Sequence, residues 1–198
     1  SNKERKPDKF GKSKISEKSE KSEKSEKSGK SEKSETTYSS LFWAFYSLIN
    51  NTHEVLEQNK FKTKNNFSLK FVEQINKEKS FLKQNKLKFH DIESNILFDK
   101  DINLSTLKCL VLLNKINLVY VCNNKYYLIE SNDDDNYFYI SKSQLKWKCD
   151  QNLKKSELVN GILANKLLME NIRTSLKSLS SYKVDDLIKM ANTLCIPM

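Results

Sequence analysis

Glycine and proline are almost missing from this chain, with three and two copies in 198 residues. None of the glycines belongs to a phosphate-cradling G-x-G-x-x-G or G-x-x-x-x-G-K loop, so the common nucleotide-binding motifs are excluded. The G-x-S-x-G elbow of serine hydrolases is absent too. Histidine is equally scarce, with only His53 and His90, and no H-E-x-x-H pair occurs. The four cysteines, Cys109, Cys122, Cys149 and Cys195, form no C-x-x-C pair, and with so few histidines a structural zinc site is not expected. No cofactor is expected either. No apolar run approaches the ~18–20 residues of a membrane helix, and the N-terminal residues lack the apolar core of a signal peptide. Cys109 and Cys122 lie inside apolar runs and read as core residues, which fits a reducing compartment.

Lysine, asparagine, isoleucine and serine are abundant instead. Such a bias accompanies AT-rich genomes, including those of large DNA viruses. The formal net charge is +10. Residues 1–36 hold twelve Lys/Arg against eight Asp/Glu, and residues 37–198 hold 23 against 17. The excess therefore divides as +4 and +6, spread over the chain and not packed into one arm, which reads first as a solvated basic surface, with weak, non-specific polyanion affinity as the alternative. From Lys18 to Glu35 the sequence repeats Lys-Ser-Glu, broken once by Gly29. With nothing apolar to bury, this segment cannot offset the entropy of ordering, so residues 1–36 are expected to be a disordered tail. Phosphorylation of its serines would reverse its charge.

Residues 37–198 read as a single globular α+β domain, helices against a small antiparallel sheet. Leu41, Phe42, Phe45, Tyr46, Leu48 and Ile49 recur at helical spacing behind Ser39 or Ser40 as N-cap. Phe71, Val72, Ile75, Phe81 and Leu82 predict one helix over 69–84, and a short helix is expected over 91–97. Leu104, Leu107, Cys109, Leu110, Val111 and Leu113 predict a buried helix after Asn103 or Ser105. The runs 117–122, 126–130 and 137–140 then predict a three-stranded meander, with a turn at Asn123-Asn124 and an acidic turn at 132–136. Asp133, Asp134 and Asp135 lack EF-hand spacing and read as a solvated turn. A short strand over 145–149, a helix over 156–173 and a last helix around Val184–Leu194 complete the reading.

The segment Ser40-Leu41-Phe42-Trp43-Ala44 opens a buried helix, and Tyr126-Tyr127 opens a strand after a hairpin turn. In this pattern the chain resembles the ovarian-tumour (OTU) family of papain-like cysteine peptidases. Their nucleophile motif runs roughly Asp-Gly-x-Cys-Leu-Phe-x-Ala, with a His-Tyr pair downstream, over what would be residues 38–140. A cysteine at a helix N-terminus is held as thiolate by the helix dipole and served by a histidine base. The resemblance implies that Ser40 stands in the nucleophile position and Tyr126 in the base position. Both departures remove function: a tyrosine with an ordinary pKa near 10 is no base at neutral pH. The Asp-Gly lead-in is missing before Ser40. A second stretch, Leu179 to Leu187, resembles the first helix of a SAP-type DNA-binding motif, without its second helix before Met198.

The resulting expectation is a non-catalytic interaction or virion-associated protein of a large DNA virus on a pseudo-peptidase scaffold. Its partner would be a protein, ubiquitin-like if the resemblance holds, and its place the virion or host cytoplasm. The alternatives are an active OTU-like hydrolase using His53 or His90, and a basic nucleic-acid-binding protein.

Overall fold

Ten apolar or small residues behind a serine make the first helix, and the order of elements follows from there. In the computed structural model, residues 37–52, 59–169, 171 and 176–196 are described; the Lys-Ser-Glu tail, His53 and the stretch 172–175 lie outside them. A short strand β1 (Thr37–Tyr38) leads into α1 (Leu41–Asn50). The apolar stretch expected to form one helix is divided into α2 (Lys60–Lys77) and α3 (Lys79–Gln84) at Glu78, with α2 beginning nine residues earlier than its apolar spacing suggests. Next come α4 (Phe89–Phe98) and α5 (Leu104–Leu113). The strands follow: β2 (Asn117–Cys122), β3 (Lys125–Ile129), β4 (Asn136–Ser143) and β5 (Lys146–Lys154). A short helix α6 (Lys155–Glu157), an edge strand β6 (Leu167–Leu168) and α7 (Val184–Thr193) close the chain.

The class is α+β, with one correction in the sheet. Its six strands run in the order β1-β5-β4-β2-β3-β6, and the sheet is mixed. The β2–β3 hairpin forms as expected, with Asn123 at a left-handed φ of 55° that asparagine tolerates. Strand β4, however, does not continue a meander beyond β3. It pairs parallel with β2, Asn117 opposite Tyr137 through Cys122 opposite Lys142. The physical reason lies in β2 itself. Leu118 faces one core cluster and Val119 and Val121 the other. A strand apolar on both faces belongs in the middle of a sheet.

The chain must therefore cross the start of β2 between β3 and β4, and Asn117 holds it there. This side chain is 2% exposed. Its Nδ2 donates to the carbonyls of Asn132 (3.1 Å) and Asp134 (2.6 Å). Its Oδ1 accepts from the amides of Ser131 (2.8 Å) and Asn132 (3.2 Å). All four of its hydrogen-bonding positions are used. Ser131 and Asn132 tie the same loop back to the carbonyls of Leu112 and Lys115.

The helix expected over 156–173 is cut short at Ile162, and residues 170, 172 and 173 of it lie outside the described residues. After α6 the chain makes a π-type turn over Leu158–Ile162, with the Leu163 amide donating to the Leu158 carbonyl (2.9 Å). It then extends, and β6 pairs parallel with β3. The wider turn drops Leu158 and Leu163, 1% and 3% exposed, onto Val119, Val121 and Tyr137. Burial on the bare sheet face outweighs the helical preference of the segment.

Two core clusters lie on opposite faces of the sheet. The larger gathers α1, α2, α4 and α5 against Leu118, Ile129, Ile140 and Trp147. The smaller is closed by Leu158 and Leu163. Replacing Asn117 with Ala leaves the crossover loop's amides and carbonyls without their partner. We expect urea unfolding to show a loss of about 2 kcal/mol with an unchanged slope; a loss below about 0.5 kcal/mol would mean the loop holds itself.

Candidate functional site at the start of the first helix

The N-terminus of α1 is where the resemblance puts a nucleophile, and its geometry is that of a closed cap. Ser40 has extended backbone (φ −141°, ψ 153°), and its Oγ accepts from the Trp43 amide at 3.3 Å. Its carbonyl accepts from the Ala44 amide at 3.1 Å, the first bond of the helix. The two amides between are met by Asp101, from the loop joining α4 to α5. Leu41 N–H donates to one carboxylate oxygen (2.8 Å) and Phe42 N–H to the other (3.0 Å). The first oxygen of charge at this helix end is therefore a carboxylate of the chain itself, placed where the helix dipole stabilises an anion.

Asp101 is held in turn. Its own carboxylate accepts from Ile102 N–H (2.9 Å). Behind it stands Asn95 of α4, 5% exposed. Asn95 Nδ2 donates to the Asp99 carboxylate (2.6 Å) and the Asp101 carbonyl (3.2 Å). Its Oδ1 accepts from Asn103 N–H (2.9 Å) and the Thr106 hydroxyl (2.6 Å). Asn103 then caps α5 by accepting from Thr106 N–H (2.9 Å). From the other side Lys64 of α2 donates to the carbonyls of Asp99 and Lys100, both at 3.1 Å. One loop thus joins four helices.

Tyr126 is elsewhere. Its ring packs with the smaller cluster, beside Leu158 and Leu163, whereas α1 belongs to the larger cluster across the sheet. Its carbonyl accepts from Met169 N–H (2.9 Å), under the edge strand β6. Burial raises its phenol pKa above the ordinary value, away from any role as a base. The two positions singled out by the resemblance are not brought together. His90 lies on α4 with a side chain 92% exposed, paired with Glu93 at 3.4 Å.

The cysteines offer no replacement nucleophile in the core. Burial, reinforced by the charge of Glu78, pushes the Cys109 thiol up to about 12. Burial also raises Cys149, against a hydrogen bond from Tyr38 that lowers it. Cys195 is exposed, after α7. Among the described residues no group of three His, Cys, Asp or Glu side chains is placed to hold a metal ion. The acidic turn serves its own backbone, with the Asp134 carboxylate accepting from the Asn136 amide (3.1 Å). No helix among the described residues is long and apolar enough to cross a membrane. No family model and no curated protein matches this chain.

Asp101 was missed by sequence reasoning because its partner amides are sixty residues away. Its one local signal is the cluster Asp99, Asp101, Asn103 between two apolar helices. Two outcomes follow. Asp101→Ala should cost about 2 kcal/mol in urea unfolding and Ser40→Ala about 1 kcal/mol or less; equal effects from both would argue against the carboxylate as the main cap. In native protein near neutral pH, a thiol reagent should label Cys195 readily and Cys109 only on unfolding.

Proposed function

We propose that this chain is a non-catalytic binding protein. One observation carries the reading: the helix end that would activate a nucleophile is filled by Asp101, which accepts the Leu41 and Phe42 amides. Negative charge developing on the Ser40 hydroxyl, or on a carbonyl attacked beside it, would meet a neighbouring carboxylate instead of free amides. The base position is a half-buried tyrosine on the opposite sheet face.

A partner surface is supported by the C-terminal helix. Helix α7 is amphipathic, yet none of its residues is buried. Val184 is 71% exposed, and Leu179 just before it 74%. Exposed apolar side chains gathered on one segment are a feature of interaction sites. The OTU resemblance supports a protein partner of ubiquitin-like kind, and the lysine- and asparagine-rich composition supports a virion-associated role in a large DNA virus.

The test is incubation of the full chain with ubiquitin chains of each linkage and with an electrophilic ubiquitin probe. Neither cleavage nor a covalent adduct is expected. Turnover that disappears in Ser40→Ala would overturn the reading.

A further inference from the structure

The positive charge of the folded part is concentrated in one layer. Residues 60–88 contain nine lysines and two glutamates, a net of +7, against +6 for the whole of residues 37–198. Everything else after residue 36 is therefore slightly acidic. Division into tail and remainder conceals this asymmetry, because acidic loops elsewhere cancel it.

Helices α2 and α3 carry seven of those lysines, with Lys86 and Lys88 just after α3, and α2 is packed by its other face. Phe71 and Ile75 enter the main core, and Ser68 Oγ donates to the Ile96 carbonyl of α4 (3.2 Å). Of the nine lysines, Lys64 is spent on the Asp99 and Lys100 carbonyls, and Lys79 lies over the Phe89 ring at 5.6 Å. Lys62, Lys70, Lys77, Lys83, Lys86 and Lys88 are exposed. None of these six side chains makes a hydrogen bond or ion pair among the described residues. Glu73 stands four residues before Lys77, the spacing of a helical ion pair, and still none forms.

On α2, Lys62, Asn66, Lys70 and Lys77 fall within an arc of about 80°, given 100° per residue. They extend over about 22 Å at 1.5 Å per residue, a length that spans about six base-pair steps of duplex at 3.4 Å each. Glu73 interrupts the stripe. Asn65, Asn66, Gln74 and Asn76 lie among the lysines and offer neutral donors to phosphate and sugar oxygens. Unpaired like charges on one layer repel one another and weaken the fold, a strain that a polyanion relieves.

We propose that the outer face of α2 and α3 binds nucleic acid through its phosphate backbone, without sequence preference. A membrane surface fits less well. Interfacial helices need a broad apolar face, and the outward side of α2 offers only Phe61 and Leu69 as large exposed apolar residues. The inference does not depend on whether Ser40 is inert.

The experiment is fluorescence anisotropy of the full chain with a labelled duplex of roughly 20 bp, titrated at salt between about 50 and 200 mM. Saturable binding should weaken with salt at a log–log slope of about −3.5 to −5.5, from four to six neutralised phosphates. The triple variant Lys62→Glu, Lys70→Glu, Lys77→Glu should lose at least about tenfold in affinity and about three units of slope. The control Lys142→Glu, Lys146→Glu, on the β4–β5 hairpin, should stay within about threefold. The N-terminal tail is common to all three proteins, so its contribution does not separate them. Circular dichroism checks the fold, and Lys→Gln at the same three sites replaces the triple variant if it unfolds. The proposal is overturned if the wild type fails to bind at low salt, or if the triple variant binds like wild type. It is also overturned if phosphatidylserine vesicles or polyglutamate bind more tightly than the duplex and with the same lysine dependence.

Discussion

The carboxylate of Asp101, seated on the first amides of α1, is the contact on which the arrangement of the helical layer depends. Helix α1 is the most buried helix, and its N-terminal amides cannot be left to water. A charged acceptor meets two of them and the Ser40 hydroxyl a third. The loop that brings Asp101 is shaped by Asn95, whose amide has all four bonds made, and is closed from outside by Lys64. Sequence-distant pieces (α1, α2, α4 and α5) thereby meet at one polar centre. Directional bonds specify a single relative placement that apolar packing of the same helices would leave looser.

The same contact occupies the anion position of this helix end. A helix N-terminus with free amides attracts a substrate anion or stabilises a thiolate. Filled by an internal carboxylate, it is a structural joint. The sheet adds a second constraint, because it separates Ser40 with α1 from the ring of Tyr126 in the smaller cluster. Two residues on opposite faces of a sheet cannot share a proton directly, whatever their order in the chain.

Local signals were legible where short-range physics decides. Ser40 before an apolar 3.6-residue period gave α1 and its cap, and Asn103 gave α5 and its cap. The Asn123-Asn124 hairpin followed from turn chemistry. Failures came where a distant partner outweighed local preference. The segment 156–173 has helical spacing, but it leaves the helix after Ile162, and Leu158 and Leu163 are buried on the bare sheet face. The meander failed because β2 is apolar on both sides and needs two neighbours, and a buried asparagine supplies the crossover. The lysine layer was written in the sequence from 60 to 88 and was obscured by summing charge over a longer span.

By itself the sequence determined the class of fold, the caps of α1 and α5, the hairpin and the density of positive charge, because each rests on residues within a few positions of one another; the serines at 180 and 181 read equally well as a cap, yet α7 begins after Lys183. Only the tertiary structure decided which strand lies in the middle, which carboxylate closes α1, which face of the sheet holds Tyr126 and which lysines remain without a partner. Those depend on contacts between residues tens of positions apart. No periodicity or motif encodes them, since each is selected by burial and hydrogen-bond satisfaction over the whole domain at once.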